Sequence, residues 1–138
     1  MAIVEWDHYT VRAKDTEASR GFYEGALGLN VRERVGFAVP AFIVSIGDRE
    51  VVHVFQASAE MESIFRRMPS AADLDGWATG RLHHVEFWAE DLVGTRERLA
   101  AHGVAVNERT LPDKHQLQLT DPDGIQVNLN FQLSEVQT

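Results

Sequence analysis

The sequence predicts an α+β fold made of two βαβββ modules, and three observations carry that expectation. A short pattern recurs in register about half a chain later. Each copy runs from a strand-like stretch into a helical stretch that ends in glycine. Each helix is followed by three short strand-like stretches joined by tight turns. The expected organisation is one domain over residues 1–138, with module one at 1–57 and module two at 81–132. A linker helix and loop at 58–80 joins them, and a tail occupies 133–138.

The repeat can be read residue by residue. Set DHYTVRAKD (7–15) above HHVEFWAED (83–91): His8 falls on His84, Ala13 on Ala89 and Asp15 on Asp91, each 76 residues on. Gly28 then falls on Gly103 at an offset of 75, so the second helix is one residue shorter. The new offset persists, setting VVHVFQ (51–56) above QVNLNF (126–131) and Asp48 above Asp123. A chance match would not keep its register through a deletion and rejoin at a second strand.

Taken in order, residues 4–13 and 82–89 alternate as strands do. Asp15 or Thr16 can N-cap a helix whose apolar positions Ala18, Phe22 and Leu27 share a face, and Asp91 does the same for Leu92, Thr95 and Leu99. Gly28 and Gly103 stand where a helix end needs a left-handed residue. Strands are expected at 29–37, 39–46 and 50–56, then at 104–109, 114–120 and 125–131. Gly47-Asp48 and Asp121-Pro122-Asp123-Gly124 mark tight turns, and turn chemistry alone makes the second a hairpin turn and no more. Between the modules, Met61, Ile64, Phe65 and Met68 have helical spacing that Pro69 ends, so an amphipathic linker helix and a loop carrying Trp77 are expected.

Composition narrows the function. A net charge of −8, from 13 basic and 21 acidic residues, argues against a nucleic-acid partner and against an anionic membrane surface. No run of about 18 apolar residues exists to span a bilayer. Zero cysteines excludes disulfides, thiolate metal sites and cysteine nucleophiles. The opening MAIVEWDH lacks the pattern of a signal peptide, so a soluble cytoplasmic domain is expected.

Strand geometry then sorts the polar residues, because side chains two apart share a face. His8 goes with Thr10 and Arg12, His84 with Glu86 and Trp88, His53 with Phe55, and Asn128 with Gln126 and Asn130. If the halves pair as the duplication implies, His8 faces His84 and His53 faces Asn128 on one concave surface. Taken singly, a strand histidine is a hydrogen-bonded core or rim residue. Three at repeat-related positions point to a metal, since imidazole nitrogen is the commonest metal ligand. Three nitrogens with a weak amide oxygen suit Zn, Fe, Ni, Co or Mn and leave positions open for two substrate oxygens. Glu86 is the nearest carboxylate and a candidate catalytic group, although a partner for Arg12 or Arg81 is its plainer reading. His115, at a strand start, is a second catalytic candidate from behind the site, while His83 and His102 read as structural or surface residues.

These residues resemble the vicinal oxygen chelate superfamily of glyoxalases, extradiol dioxygenases, fosfomycin-resistance enzymes, methylmalonyl-CoA epimerases and bleomycin-resistance proteins. The similarity spans about residues 4–132 and is carried by DHYTVRAKDTEASRGFYEGALGLNV, LHHVEFWAEDLVGTRERLAAHGVAV and HQLQLTDPDGIQVNLNF. It implies an open eight-stranded cup, the glyoxalase-like fold, with metal and small-molecule substrate inside. His8 and His84 match the first-strand histidines of the two modules. His53 stands where glyoxalase-type members hold a glutamate, and Asn128 stands where most metal-dependent members hold the closing glutamate. That departure disfavours ordinary glyoxalase chemistry. The resemblance also implies a homodimer, with the cup completed between chains in some members.

Three functions follow. The first is a metal-dependent enzyme, a lyase, isomerase or ring-cleaving dioxygenase, holding a divalent metal through His8, His53, His84 and Asn128. The second is a metal-free protein of the bleomycin-resistance type that sequesters a small molecule. For that reading the acidic balance and the aromatics Trp88, Phe55 and Phe37 suit a cationic, planar ligand. The third is an orphan or regulatory module with a degenerate site, supported by Asn128.

Overall fold

The computed structural model describes residues 6–58 and 84–136. The expected linker helix, its loop and His83 lie outside these residues. Module one runs β1 (Tyr9–Ala13), α1 (Thr16–Arg20, continued by a π-helical stretch Gly21–Ala26), β2 (Asn30–Glu33), β3 (Ala41–Ile46) and β4 (Arg49–Gln56). Module two runs β5 (His84–Trp88), α2 (Leu92–Ala101), β6 (Asn107–Thr110), β7 (His115–Thr120) and β8 (Gln126–Phe131), before a short 3-10 turn at Leu133–Glu135. Each module folds into a four-stranded mixed sheet, ordered β1-β4-β3-β2 in one and β5-β8-β7-β6 in the other. The two orders are the same order, as a duplication requires.

Register makes the equivalence sharper. Thr10 pairs with His53 across β1 and β4, and Glu86 pairs with Asn128 across β5 and β8. The first pair maps onto the second under the offsets of 76 and 75 that the sequence carries. β2 is shorter than the sequence suggests, because the chain turns at Gly36, which sits at φ +81.

Both helices are capped by the predicted aspartates. Asp15 accepts from the backbone N–H of Glu17 and Ala18 at 3.0 and 3.2 Å, and Asp91 accepts from Gly94 at 3.0 Å. Both also end on the predicted left-handed glycines, Gly28 at φ +69 and Gly103 at φ +67. At the end of α2 the Val104 N–H bonds the Leu99 carbonyl, closing the usual six-residue helix-terminal loop. At the end of α1 the matching bond runs from Leu29 to Tyr23, one residue longer. The extra residue of the first helix is therefore absorbed as the π-helical stretch Gly21–Ala26, which lets Phe22, Tyr23 and Ala26 stay buried.

One face of each sheet packs inward. Val11, Val52 and Val54 of the first sheet and Leu117, Val127 and Phe131 of the second join Phe22, Tyr23, Leu92 and Leu99 in one hydrophobic cluster. Each such buried side chain contributes ~1.5–3 kcal/mol. The β7–β8 turn adds polar ties between modules. Asp121 accepts from the Tyr23 hydroxyl at 3.0 Å, while Asp123 accepts from the Lys14 N–H at 2.9 Å and the Ser19 hydroxyl at 3.2 Å. The DPDG turn is thus more than a hairpin turn: it docks module two onto module one. Among the described residues no helix is long and apolar enough to cross a membrane.

Candidate functional site

The outward faces of the two sheets carry the predicted site residues, in two groups. On the first sheet, alternation along β4 buries Val52 and Val54 inward and turns His53 and Phe55 outward, beside Thr10 of β1 and Ile43 of β3. The pairing of β3 with β4 slips at Val44/Ser45, so that Val44 faces Val52 but Ser45 faces Glu50. This bulge at Val51 breaks the alternation and brings the Glu50 carboxylate to His53 Nε2, 3.3 Å away. Arg32 also donates to Glu50, and His8 Nδ1 bonds the neighbouring Asp7.

His8 lies flat on His53, with ring centroids 3.7 Å apart and planes 13° from parallel. Burial, then the adjacent His8, lowers the His53 pKa below the usual histidine value, against a smaller opposing pull from Glu50. Two imidazoles that share a metal must aim in-plane lone pairs at one point. Stacked rings aim theirs side by side. Beyond the stack, Phe37 meets Phe55 edge to face at 6.4 Å, and the Arg34 guanidinium covers the Phe37 ring at 4.5 Å. His8, Thr10, Arg34, Phe37, His53 and Phe55 enclose a cavity of about 260 Å³.

On the second sheet the centre is Glu86. Its Oε1 accepts from Gln116 at 3.0 Å and Asn128 at 3.1 Å, and its Oε2 accepts from Asn130 at 3.2 Å. His84 Nε2 stands 3.5 Å from Oε1 and Lys114 Nζ 3.7 Å from Oε2. The Asn128 amide, with help from Asn130 and Lys114, holds the Glu86 carboxyl below its ordinary pKa. A carboxylate so held is a weak general base. Asn128 is itself 1% exposed, and its oxygen accepts from Gln126 at 3.1 Å, so both of its amide atoms are engaged. A carboxylate does stand beside Asn128, that of Glu86, its register partner on the neighbouring strand.

The four predicted ligand residues therefore form two pairs, His8 with His53 and His84 with Asn128 around Glu86, on two different sheets. Among the described residues no three of His, Asp and Glu are placed to hold one ion. Among the described residues of one chain, His8, His53, His84 and Asn128 do not converge as the donor set of a single metal. His115 lies on the opposite face of its strand from Gln116, between Thr110 Oγ1 at 2.8 Å and Glu108 at 2.6 Å, with Arg96 also donating to Glu108. The structure does not bring it to Glu86. His102 caps α2 and bonds the Arg98 carbonyl at 2.9 Å, in keeping with a structural role.

Sequence reasoning missed the amide floor beneath Glu86 and the guanidinium of Arg34. The floor had a signal: in HQLQLT and QVNLNF, Gln116, Gln118, Gln126, Asn128 and Asn130 alternate with apolar residues, which places every carboxamide on one face. Arg34 had none, since it sits just past the end of β2 and reaches the site only through the turn at Gly36.

Residues 6–129 match the family model of the Glyoxalase/Bleomycin resistance protein/Dioxygenase superfamily. No curated protein matches the chain. Among solved structures, it is similar to TnmS3, an antibiotic binding protein from Streptomyces sp. CB03234, at 21% identity over 96% of this chain and 98% of that one, with a TM-score of 0.67. It is also similar to the fosfomycin resistance protein FosX from Listeria monocytogenes, at 15% identity over 99% and 97%, with a TM-score of 0.68. SMU.1112c matches at 25% identity over 94% and 99%, with a TM-score of 0.64. At these identities the first two establish a common fold.

Proposed function

The chain belongs to the Glyoxalase/Bleomycin resistance protein/Dioxygenase superfamily, and from that premise we propose that it binds and sequesters a small organic molecule without a resident metal. The observation that carries this reading is the state of the expected ligand positions. His8 and His53 are stacked on each other, and Asn128 spends both amide atoms on Glu86 and Gln126. What remains is a recognition surface of imidazoles, aromatic rings and a hydrogen-bonded amide floor, the mixture that small-molecule pockets use. The solved relative described as an antibiotic binding protein supports the same reading.

A homodimer completes the proposal. Among the described strands β1 and β5 are sheet edges, and each outward face carries half of the expected constellation. A second copy that set its β5 face against this β1 face would enclose the ligand between His8 and His53 of one chain and the Glu86 floor of the other. One observation favours the competing reading: His84 Nε2 and the Glu86 carboxylate share a face at 3.5 Å, two donors that a partner's histidines could complete into a metal site.

Elemental analysis of protein purified without chelator, with light scattering for mass, separates the two readings. The binding reading expects a dimer with substoichiometric metal, unchanged in His84→Ala. A stoichiometric metal that His84→Ala removes would overturn it.

A further inference from the structure

The geometry points to a planar aromatic anion as the ligand of the module-one cavity, its ring set against the His8–His53 stack and its acidic group held by Arg34. This deepens the binding reading above and rests on it.

The shape of the cavity selects for flatness. Two parallel imidazoles present a flat surface, and the edge-to-face pair of Phe37 and Phe55 forms the wall beside it. About 260 Å³ admits one or two fused rings and little more. Thr10 supplies a hydroxyl at the same lining.

Charge on this face runs against the chain as a whole. The protein carries a net −8, yet Arg12 and Arg32 share the face of His53 by register, and Arg34 lines the cavity itself. Two carboxylates touch the stack, and both are engaged: Asp7 is bonded to His8, and Glu50 to Arg32 and His53. Arg34 has no carboxylate partner among the described residues, and its guanidinium rests on Phe37. The ring face that a cationic ligand would use is therefore already covered by a cation. The same guanidinium stands ready for a carboxylate or phenolate, which it can grip by two parallel hydrogen bonds. The expectation of a cationic ligand, drawn from overall acidity, gives way to the local field.

Isothermal titration with three naphthalene probes tests this: 2-naphthoate, the neutral 2-naphthamide and the cationic 2-naphthylmethylammonium. The anion should bind best, by ~10-fold or more over the amide, the range of a charge-assisted hydrogen bond. Arg34 is exposed, so Arg34→Gln keeps the fold; it should weaken naphthoate more than the amide and so abolish the preference for the anion. Equal binding of all three probes, preference for the cation, or an Arg34→Gln variant that still prefers the anion would overturn the inference while leaving the binding reading in place. Absence of binding by any probe overturns the inference as well. If the protein then also carries stoichiometric metal, the binding reading falls with it.

Discussion

The Tyr23 hydroxyl, in the π-helical stretch of module one, donates to the Asp121 carboxylate at the β7–β8 turn of module two at 3.0 Å. Both residues are buried, at 0% and 3% exposure. The other Asp121 oxygen accepts the backbone N–H groups of Asp123 and Ile125 at 2.8 and 2.9 Å, so one carboxylate shapes the turn and fastens it to the other module. Tyr9 joins from its own strand, its hydroxyl 3.3 Å from that of Tyr23. Burial is the main cause of the raised pKa values here: it pushes Tyr9 up to about 12, pushes Tyr23 up as well and raises Asp121.

Stability should fall on the alkaline side because of this cluster. An unfolded phenol ionises near 10. Both folded phenols keep their protons beyond that point, so their contribution is complete below pH 10 and is lost as pH rises from 10 toward 12. Tyr23→Phe should cost about 1–3 kcal/mol at neutral pH, since a buried Asp121 oxygen loses its donor. It should also flatten the alkaline slope. Urea denaturation at pH 8 and pH 11 reads both effects, and an unchanged slope in the variant would refute the assignment.

Much of this architecture was legible in the sequence, and the limits were physical. Helix starts and stops were readable because Asp15, Asp91, Gly28 and Gly103 act within a few residues of their own positions. The single-residue offset between the halves was readable, but its form was not: a deletion, a loop change and a π-helical stretch leave the same trace in an alignment of two repeats. The ties of Asp121 and Asp123 were invisible because DPDG is complete as a local turn, and nothing local reports that Tyr23 and Ser19 lie about a hundred positions away. Site residues were placed on the correct faces by alternation. Which of them meet is a matter of how sheets are arranged, and alternation carries no such information.

Ser19 and Asp123 should be energetically coupled despite lying at opposite ends of the chain. The Ser19 hydroxyl donates to Asp123 at 3.2 Å, and Ser19 is fully buried. A double-mutant cycle of Ser19→Ala and Asp123→Ala should give a coupling of about 0.5–1.5 kcal/mol, the usual net worth of such a bond. Additive losses would show that Asp123 is held through the Lys14 N–H and not through Ser19.

Asn128→Asp should destabilise the protein at neutral pH and recover as the pH falls. The new carboxyl would sit nine-tenths or more buried beside Glu86, whose Oε1 is now 3.1 Å from the Asn128 amide nitrogen. It loses that donor and meets a like charge, so its pKa rises in the folded state. The fold then favours the protonated form, and the penalty, several kcal/mol in scale for an unpaired buried charge, grows as pH rises from the unfolded value near 3.9 through the folded one. Denaturation midpoints at pH 5 and pH 8 check the direction. A variant equally stable at both would mean that the amide floor rearranges and that the Glu86 network is not rigid.

Deleting one residue from the π-helical stretch should be tolerated where the same deletion in α2 is not. Gly21–Ala26 accommodates one residue more than its counterpart, so removing the exposed Glu24 lets the helix revert to regular α geometry with Phe22 and Ala26 still facing the core. Removing the exposed Glu97 from α2 has no such reserve. It rotates everything after it by about 100°, which carries Leu99, now fully buried, off the cluster it shares with Leu92. A buried leucine lost from its cavity costs about 2–5 kcal/mol. Thermal melts followed by far-ultraviolet circular dichroism should show the Glu24 deletion folding cooperatively within a few degrees of the parent, and the Glu97 deletion losing its transition or melting far lower. Equal damage from both would mean that the extra residue in α1 is required by its neighbours rather than absorbed by the helix.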